Sequence, residues 1–371
     1  MAIRYYFIEE MRRVVCHTKF KLDPFADGGS KRSVQFREIL TNHGLEFEDD
    51  SFNKDENVPK VQLVRRAFRA MGFIRKHYPK KICSIAEYIR LIKYYALRMP
   101  AVYDKYMHQD VVFFWENTSD RDGLYLMKAT GNPVIGAPHN IESLVSKGSY
   151  KVLDDEIDNL KACDVVFAIS TEETWLLRLF GVNAHYLPYY PPKEAVDYYL
   201  SIRQKREKKN LGERRNYLLL GSATNPPTKE GMQSMIDFFG KARLPFDLSV
   251  AGYETENLTN PNNSSIRFYG TVSTAQLEQI LCEVDAVLIY QPPTTGALTR
   301  IPEMRIAGIP VFVNFDASRN YFNIEDVRLY DTFDDLLGQL LSFETCQTRC
   351  FTMDDQTVRR FVEIVKGFVY E

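Results

Sequence analysis

The sequence has no stretch approaching the ~20 consecutive apolar residues that a membrane-crossing helix requires. Its opening, MAIRYYFIEEMRRVV, lacks the apolar run of a secretory signal. A cytoplasmic location is therefore expected, and the sequon Asn117-Thr118-Ser119 carries no weight. Cysteine is scarce: Cys16, Cys83, Cys163, Cys282, Cys346 and Cys350 are scattered, mostly in apolar runs, with no Cys-x-x-Cys pair. That excludes a disulfide framework and a cysteine metal site, and fits reduced core thiols. No internal repeat is present, and the formal charge of −2 is too small for a chain that is basic throughout.

What the chain does have is apolar content. With 371 residues, 45% hydrophobic and 13% aromatic, it is too long for one typical domain and can bury two ordinary cores. Upstream, IRYYFI and RRVVCH are strand-like, and Gly28-Gly29-Ser30 opens an amphipathic segment that runs to Leu40 and stops at Asn42-His43-Gly44. From Asp110 to Tyr190 the reading is strand VVFFWE, helix LYLMKATG, strand NPVIGAPH, a helix through Leu160, strand DVVFAIS, helix TEETWLLRLFG and strand AHYLPYY. Alternation of this kind predicts a parallel sheet covered on both faces.

After Pro191-Pro192 the stretch SIRQKREKKNLGERRN reads as a connector or a solvated helix, because it is charged and lacks a long apolar run. A second sheet follows, with strands YLLLGSA, FDLSVAG, IRFYG, AVLIY and IPVFVN and helices over 229–240, 274–284 and 332–343. The last segment places Val358, Phe361, Val362, Val365, Phe368 and Val369 at helical spacing and should pack along a domain face.

Two segments of the second half carry candidate chemistry. From 284 to 314 an apolar strand leads into a Pro/Thr/Gly loop, a short helix holding Glu303, a Gly-Ile-Pro turn and another strand. At the carboxyl end of a parallel strand such a loop favours a phosphate, with Gly296 allowing close backbone approach, Arg300 adding positive charge, and Glu303 accepting hydroxyls of a ribose or sugar. Earlier, Gly221, Ser222 and Asn225 belong to a strand-end loop that can cradle a diphosphate, with Lys229 neutralising a departing charge. The plain alternatives are ordinary doubly wound architecture, a solvated Lys229 and an exposed helix Glu303.

The order Glu303, Ala307, Gly308, Pro310, Val311, together with the Gly221-Ser222…Asn225-Pro226 loop, resembles the donor-binding segment of retaining GT-B glycosyltransferases. The resemblance implies an α/β GT-B fold of two Rossmann-like doubly wound domains facing a central cleft. It implies a nucleotide-sugar donor, no cofactor and no metal, with lysine, arginine and a helix N-terminus at the diphosphate. It also implies that His139, in Gly136-Ala137-Pro138-His139-Asn140, contacts the donor sugar, and that Gly28 and Gly29 approach donor and acceptor. A structural histidine and an ordinary helix start are the alternatives for these last positions. Two departures are visible: many relatives carry Arg where Ser222 stands, and Glu-x7-Glu counted back from Glu303 meets Thr295, which can hydrogen-bond a sugar hydroxyl but supplies no carboxylate. Asp120-Arg121-Asp122 formally makes the Asp-x-Asp of metal-dependent GT-A enzymes, a short motif that arises by chance.

Charge is unevenly spread. Residues 60–106 hold twelve Lys/Arg against Glu87 and Asp104, a charge of +10 that leaves −12 for the rest of the chain. Aromatic and aliphatic residues interleave these cations. A basic, apolar helical surface suits an anionic membrane or a lipid-diphosphate acceptor, which would place the protein peripherally at a membrane's inner face. RNA is the competing partner, without any RNA-binding motif, and a solvated face the plain alternative.

The expected organisation is thus an acceptor domain over 1–195, a donor domain over 196–353 and a final helix over 354–371 that crosses back to the first. The expected activity is sugar transfer from a nucleotide sugar to a glycan or lipid-linked acceptor, with retention, in polysaccharide or glycan biosynthesis. An epimerase on the same fold and a non-catalytic sugar-nucleotide or glycan binder are the alternatives.

Overall fold

The computed structural model describes residues 11–54, 58–116, 118–145, 150–207, 214–241, 244–321, 324–344 and 349–370. The strand expected in IRYYFI, Asn117 of the sequon, residues 208–213 of the charged stretch and Cys346 lie outside these residues. The chain divides into two compact units. Unit 1 comprises Met1–Leu22, Ser33–Pro188 and Asp354–Glu371, and unit 2 comprises Asp23–Arg32 and Tyr189–Met353.

Unit 1 is built on a six-stranded, wholly parallel sheet in the order β2-β1-β3-β4-β5-β6. Its strands are β1 (Arg13–His17), β2 (Phe47–Asp49), β3 (Val111–Trp115), β4 (Val134–Gly136), β5 (Val165–Ala168) and β6 (Ala184–Tyr186). Between them run α1 (Gly28–Asn42, whose first five residues count with unit 2), α2 (Lys60–His77), α3 (Ile85–Arg98), α4 (Tyr103–Tyr106), α5 (Gly123–Lys128), α6 (Glu142–Val145), α7 (Tyr150–Lys161) and α8 (Thr171–Leu179). All five residues of β3 are buried, as a strand covered on both faces requires, which is why VVFFW shows no alternation.

Unit 2 repeats the scheme in the order β12-β11-β10-β7-β8-β9, again wholly parallel. It starts with α9 (Lys193–Arg206), then β7 (Asn216–Leu220), α10 (Pro226–Phe239), β8 (Asp247–Ala251), β9 (Ile266–Gly270), α11 (Thr274–Glu283), β10 (Ala286–Ile289), α12 (Arg300–Ile306), β11 (Val311–Asn314), α13 (Phe315–Ser318), β12 (Val327–Tyr330) and α14 (Phe333–Leu341). α15 (Asp355–Tyr370) belongs to unit 1, where Phe361 packs edge-on against Phe114 and Phe167 and stacks with Phe36.

Several expectations need correction. Of the two readings of the charged stretch, connector or solvated helix, the helix holds as far as Arg206: the stretch is the second half of α9, with Gln204 and Lys205 exposed, but Ile202 joins Ala195 and Tyr199 earlier in the helix in the unit 2 core. Val196, Tyr198 and Leu200 pack partly against the same core, so helical spacing buries one stripe while the charged residues stay on the opposite face. The cysteines are not uniformly core thiols, since Cys16 and Cys163 are buried but Cys83 and Cys350 are exposed. The edge strands β2 and β12 went unread.

Candidate functional site

In unit 2 the chain leaves β7 on one side for β8 and β9 and returns on the other side with β10. The carboxyl ends of β7 and β10 therefore flank a topological switch point, where open parallel sheets receive ligands. Asn225 caps α10, its Oδ1 accepting from the Thr228 N–H at 3.2 Å. Pro226 and Pro227 fill the first turn, where a missing N–H costs little. Ser222 Oγ lies 2.7 Å from Thr224 Oγ1, and Lys229 is exposed on the first turn of α10.

Arg300 joins the two strand ends. Its Nη1 donates to the Leu220 carbonyl at 2.7 Å and its Nη2 to Gln291 Oε1 at 3.2 Å. A Cβ built on Gly221 would lie 2.5 Å from that Nη1 and 2.6 Å from Thr228 Cγ2, so a side chain there would displace Arg300 and Thr228. Burial pushes the Arg300 guanidinium down to about 10, with Glu303 opposing, and it remains cationic at neutral pH. Gly296 holds φ +83°, and its carbonyl accepts from Arg319 Nη2 at 2.9 Å. The short helix holding Glu303 begins only at Arg300, beyond the Gly296 turn. Pro292 and Pro293 keep the preceding residues extended, and the Gly296 turn delays the helix further.

Glu303 is buried within unit 2 rather than displayed on the surface of α12. Its Oε1 accepts from Lys31 Nζ at 2.7 Å and from Tyr189 Oη at 2.8 Å, and its Oε2 accepts from Tyr199 Oη at 2.9 Å. Burial and the adjoining carboxylate push both tyrosine hydroxyls well above their ordinary range, so they act as donors. Two donors fill the lone pairs of Oε1, while Oε2 keeps one accepting position. Lys31 stands in the first turn of α1, which Asp27 caps by accepting from the Ser30 N–H at 3.0 Å. A Cβ on Gly28, at the head of the same turn, would come within 3.2 Å of Thr299 Cγ2. Gly29 follows in that turn.

Unit 1 has its own switch point between β1 and β3. There Glu116, the residue after β3, has a fully buried carboxylate that accepts from Ser33 Oγ and pairs with Arg37 Nη1. Arg37 continues to Asp49 at 2.6 Å. His139, on the loop after β4, places Nε2 3.5 Å from Glu116 Oε2, and the Phe20 ring lies 4.5 Å from its ring. Burial pushes the Glu116 carboxyl up, but His139, Arg37 and Ser33 outweigh it and hold the carboxyl below its ordinary value. The His139 loop is anchored where α6 begins: Glu173 accepts from the Ile141 N–H, and Glu156 from those of Glu142 and Ser143, at 2.9–3.0 Å.

Sequence reasoning missed Glu116, Lys31, Tyr189, Tyr199 and Gln291. The one signal for Glu116 was a carboxylate closing a run of five apolar residues. The Asp-x-Asp side chains diverge, Asp120 accepting from Tyr94 Oη at 2.6 Å and Asp122 from Arg90 at 2.5 Å. No group of three or more metal-ligating acidic, histidine or cysteine side chains occurs among the described residues.

No sequence-family model matches the chain, and no curated protein matches it in sequence. Its fold is similar to several solved structures. Sucrose-phosphate synthase from Thermosynechococcus elongatus superposes with a TM-score of 0.57 at 13% identity, covering 96% of this chain and 95% of that one. Anabaena Alr3699/HepE in complex with UDP-glucose gives 0.55 at 12% identity over 97% and 95%. The α,α-trehalose-phosphate synthase (UDP-forming) from Burkholderia vietnamiensis gives 0.55 at 9% identity over 97% and 94%. With two six-stranded parallel α/β units and these structural neighbours, the chain is built on the fold of the GT-B glycosyltransferases.

Proposed function

We propose that this protein is a glycosyltransferase that takes a sugar from a nucleotide-sugar donor and passes it to a glycan or lipid-linked acceptor hydroxyl, with retention of anomeric configuration. The observation that carries this is the switch point of unit 2, where Arg300 bridges the ends of β7 and β10 against Gly221, next to an exposed first-turn lysine. Arg300 and Lys229 stabilise the negative charge that collects on the departing diphosphate, doing electrostatically what a divalent cation does elsewhere. Glu303 offers its remaining Oε2 position to one ribose hydroxyl. Thr295 offers a hydroxyl to the sugar, and His139 meets a sugar hydroxyl. The acceptor hydroxyl attacks the anomeric carbon from the face the diphosphate leaves, the carbon–oxygen bond to the diphosphate breaks and the hydroxyl proton passes to the departing phosphate oxygen, so no side-chain nucleophile is required. Three structures of Anabaena Alr3699/HepE were solved with UDP, UDP and glucose, or UDP-glucose bound, which supports a nucleotide-sugar donor.

The acceptor is proposed to lie at an anionic membrane surface. Four cations of the 60–106 span pair with carboxylates, Lys80 with Asp155, Arg69 with Asp104, Arg90 with Asp122 and Lys105 with Asp50. Lys60, Arg65, Arg75, Lys76, Lys81 and Lys93 are exposed. Beside them Val61, Val64, Phe68 and Met71 form an exposed stripe along α2, and Ile85 and Ile89 repeat it on α3, with Val61 85% and Ile85 80% exposed. A cationic rim around an apolar stripe supports docking at anionic lipid, although no described helix is long and apolar enough to cross a membrane.

The test is incubation of purified protein with a panel of nucleotide sugars, following donor consumption and product identity. Transfer or donor hydrolysis supports the assignment. An epimerised nucleotide sugar points to the epimerase, saturable binding without turnover points to a binding protein, and neither binding nor turnover removes the proposal.

A further inference from the structure

The buried carboxylate of Glu116 has no part in the proposed reaction, yet groups from several elements of unit 1 converge on it. α1 supplies Ser33 and Arg37, β2 supplies Asp49 behind Arg37, and the Glu116 N–H is itself fixed by the His17 carbonyl at 2.9 Å. A carboxylate buried without partners would cost several kcal/mol, roughly the penalty of an uncompensated interior charge. Here it is compensated on both oxygens and still meets a third group, the imidazole of His139. That ring is only 9% exposed, with Phe20 against it and its loop pinned by Glu156 and Glu173. Neither of its nitrogens has a well-formed hydrogen bond among the described residues.

We infer that Glu116 is a positioning residue that fixes the His139 ring with its Nε2–H directed at the carboxylate, leaving Nδ1 to accept a hydrogen bond from a hydroxyl of the bound sugar. This rests on the proposed transferase activity for the identity of the hydroxyl, but not for the orientation of the ring. An ionised carboxylate only accepts hydrogen bonds, so the imidazole nitrogen facing it must be the one that carries the proton. In the neutral ring the other nitrogen is then an acceptor. The low-lying Glu116 carboxyl, held ionised by His139, Arg37 and Ser33 against burial, agrees with that assignment. Nδ1 is an interior acceptor with no partner in the described chain, and a substrate hydroxyl supplies the hydrogen bond it lacks. His139 would thus receive a proton-bearing group from the substrate instead of donating to it, a preference set by a residue that never touches the sugar.

The experiment is nitrogen-15 NMR of the histidine rings in the full chain above neutral pH, with the His139 signals identified by their loss in His139→Gln. The expected result is a single Nε2–H tautomer for His139 in the wild type, a readout that needs no variant of Glu116 to fold. In Glu116→Gln, whose amide can donate as well as accept, the two tautomers should mix. On a donor the wild type is shown to use, kcat of that variant should fall by roughly a factor of ten or more, while the donor KM stays within about twofold, since the amide keeps the shape of the site. A wild-type ring protonated at Nδ1 overturns the inference even if the enzyme is active. An Nε2–H ring whose tautomer and kcat are both indifferent to Glu116→Gln overturns it as well. Failure of every nucleotide sugar to react would instead sink the transferase proposal and leave the tautomer result standing.

Discussion

The ammonium of Lys31 lies 2.7 Å from Oε1 of Glu303, across 272 positions of sequence, and both side chains are almost wholly buried. The first turn of α1 and the helix after β10 are thereby joined through one ion pair inside unit 2. Tyr189 and Tyr199 complete the shell, so the carboxylate is held in one orientation before any ligand arrives. A pre-oriented acceptor costs less ordering entropy when it binds a hydroxyl.

Lys31→Ala should destabilise the protein by ~3–5 kcal/mol, the penalty for leaving one member of a buried pair unmatched. Glu303→Gln should also be destabilising, and the double variant should lose less than the sum of the two. Urea denaturation of the wild type, both single variants and the double variant measures this. Strict additivity would show that the pair contributes nothing as a pair.

Glu303→Gln should also weaken binding of the preferred nucleotide sugar by ~1–3 kcal/mol, because an amide is a poorer acceptor than a carboxylate. Calorimetric titration of folded variant is the measurement. Unchanged affinity would remove Glu303 from the donor site.

Lys229 and Arg300 should separate in their effects. Lys229 is exposed, so Lys229→Ala should leave the thermal midpoint near wild type while turnover drops by ~2–4 kcal/mol of transition-state stabilisation. Arg300→Ala should lower both turnover and stability, since its guanidinium carries the Leu220 carbonyl and the Gln291 side chain. Wild-type turnover in both variants would show that these cations do not act on the leaving group.

The apolar stripe of α2 should matter as much as its charge. Wild-type protein should float with anionic vesicles at low salt and detach as salt rises, each cation near the surface contributing ~1 kcal/mol. Val64→Ser with Phe68→Ser should abolish flotation, and so should Arg65→Glu with Arg75→Glu. Equal flotation with neutral vesicles, or none at low salt, counts against membrane docking; binding to RNA in the same buffer would favour the competing partner.

Stability should decline on mild acidification. Burial holds the His17 imidazole below its ordinary value of 6.5, with the Asp50 carbonyl bonded to Nδ1 at 3.0 Å only partly opposing. The unfolded chain takes up a proton there before the folded chain does, so this contribution is complete above pH 6.5 and is lost as pH falls from there through the lower folded value. Urea midpoints of the wild type and His17→Gln, measured from pH 7.5 downwards, should converge across that interval. Parallel curves would assign the acid sensitivity to other groups.

Legibility in the sequence followed burial. The continuous apolar runs of β3, β10 and β11 could be read directly because every residue of those strands is buried. β2 is three residues ending in Glu48 and Asp49, and β12 carries an exposed Leu329 beside Arg328. Each is an edge strand whose identity comes from a neighbour's hydrogen bonds and not from its own composition. The charged end of α9 concealed a buried stripe for a related reason: three buried residues in fourteen are enough when the partner surface is already formed.

The sequence by itself determined that the chain is an α/β protein of two parallel sheets, and it marked the loops that carry Gly221, Asn225, His139 and Gly296, because strand runs, glycines and helix caps act over a few residues. Only the tertiary structure decided which polar groups meet. Glu303 with Lys31, Glu116 with Arg37 and His139, and Arg300 with the end of β7 are pairings between residues 23 to 272 positions apart. Local propensity carries no information about such distances. They are set when the sheets close and each buried charge must find its partner or lose several kcal/mol.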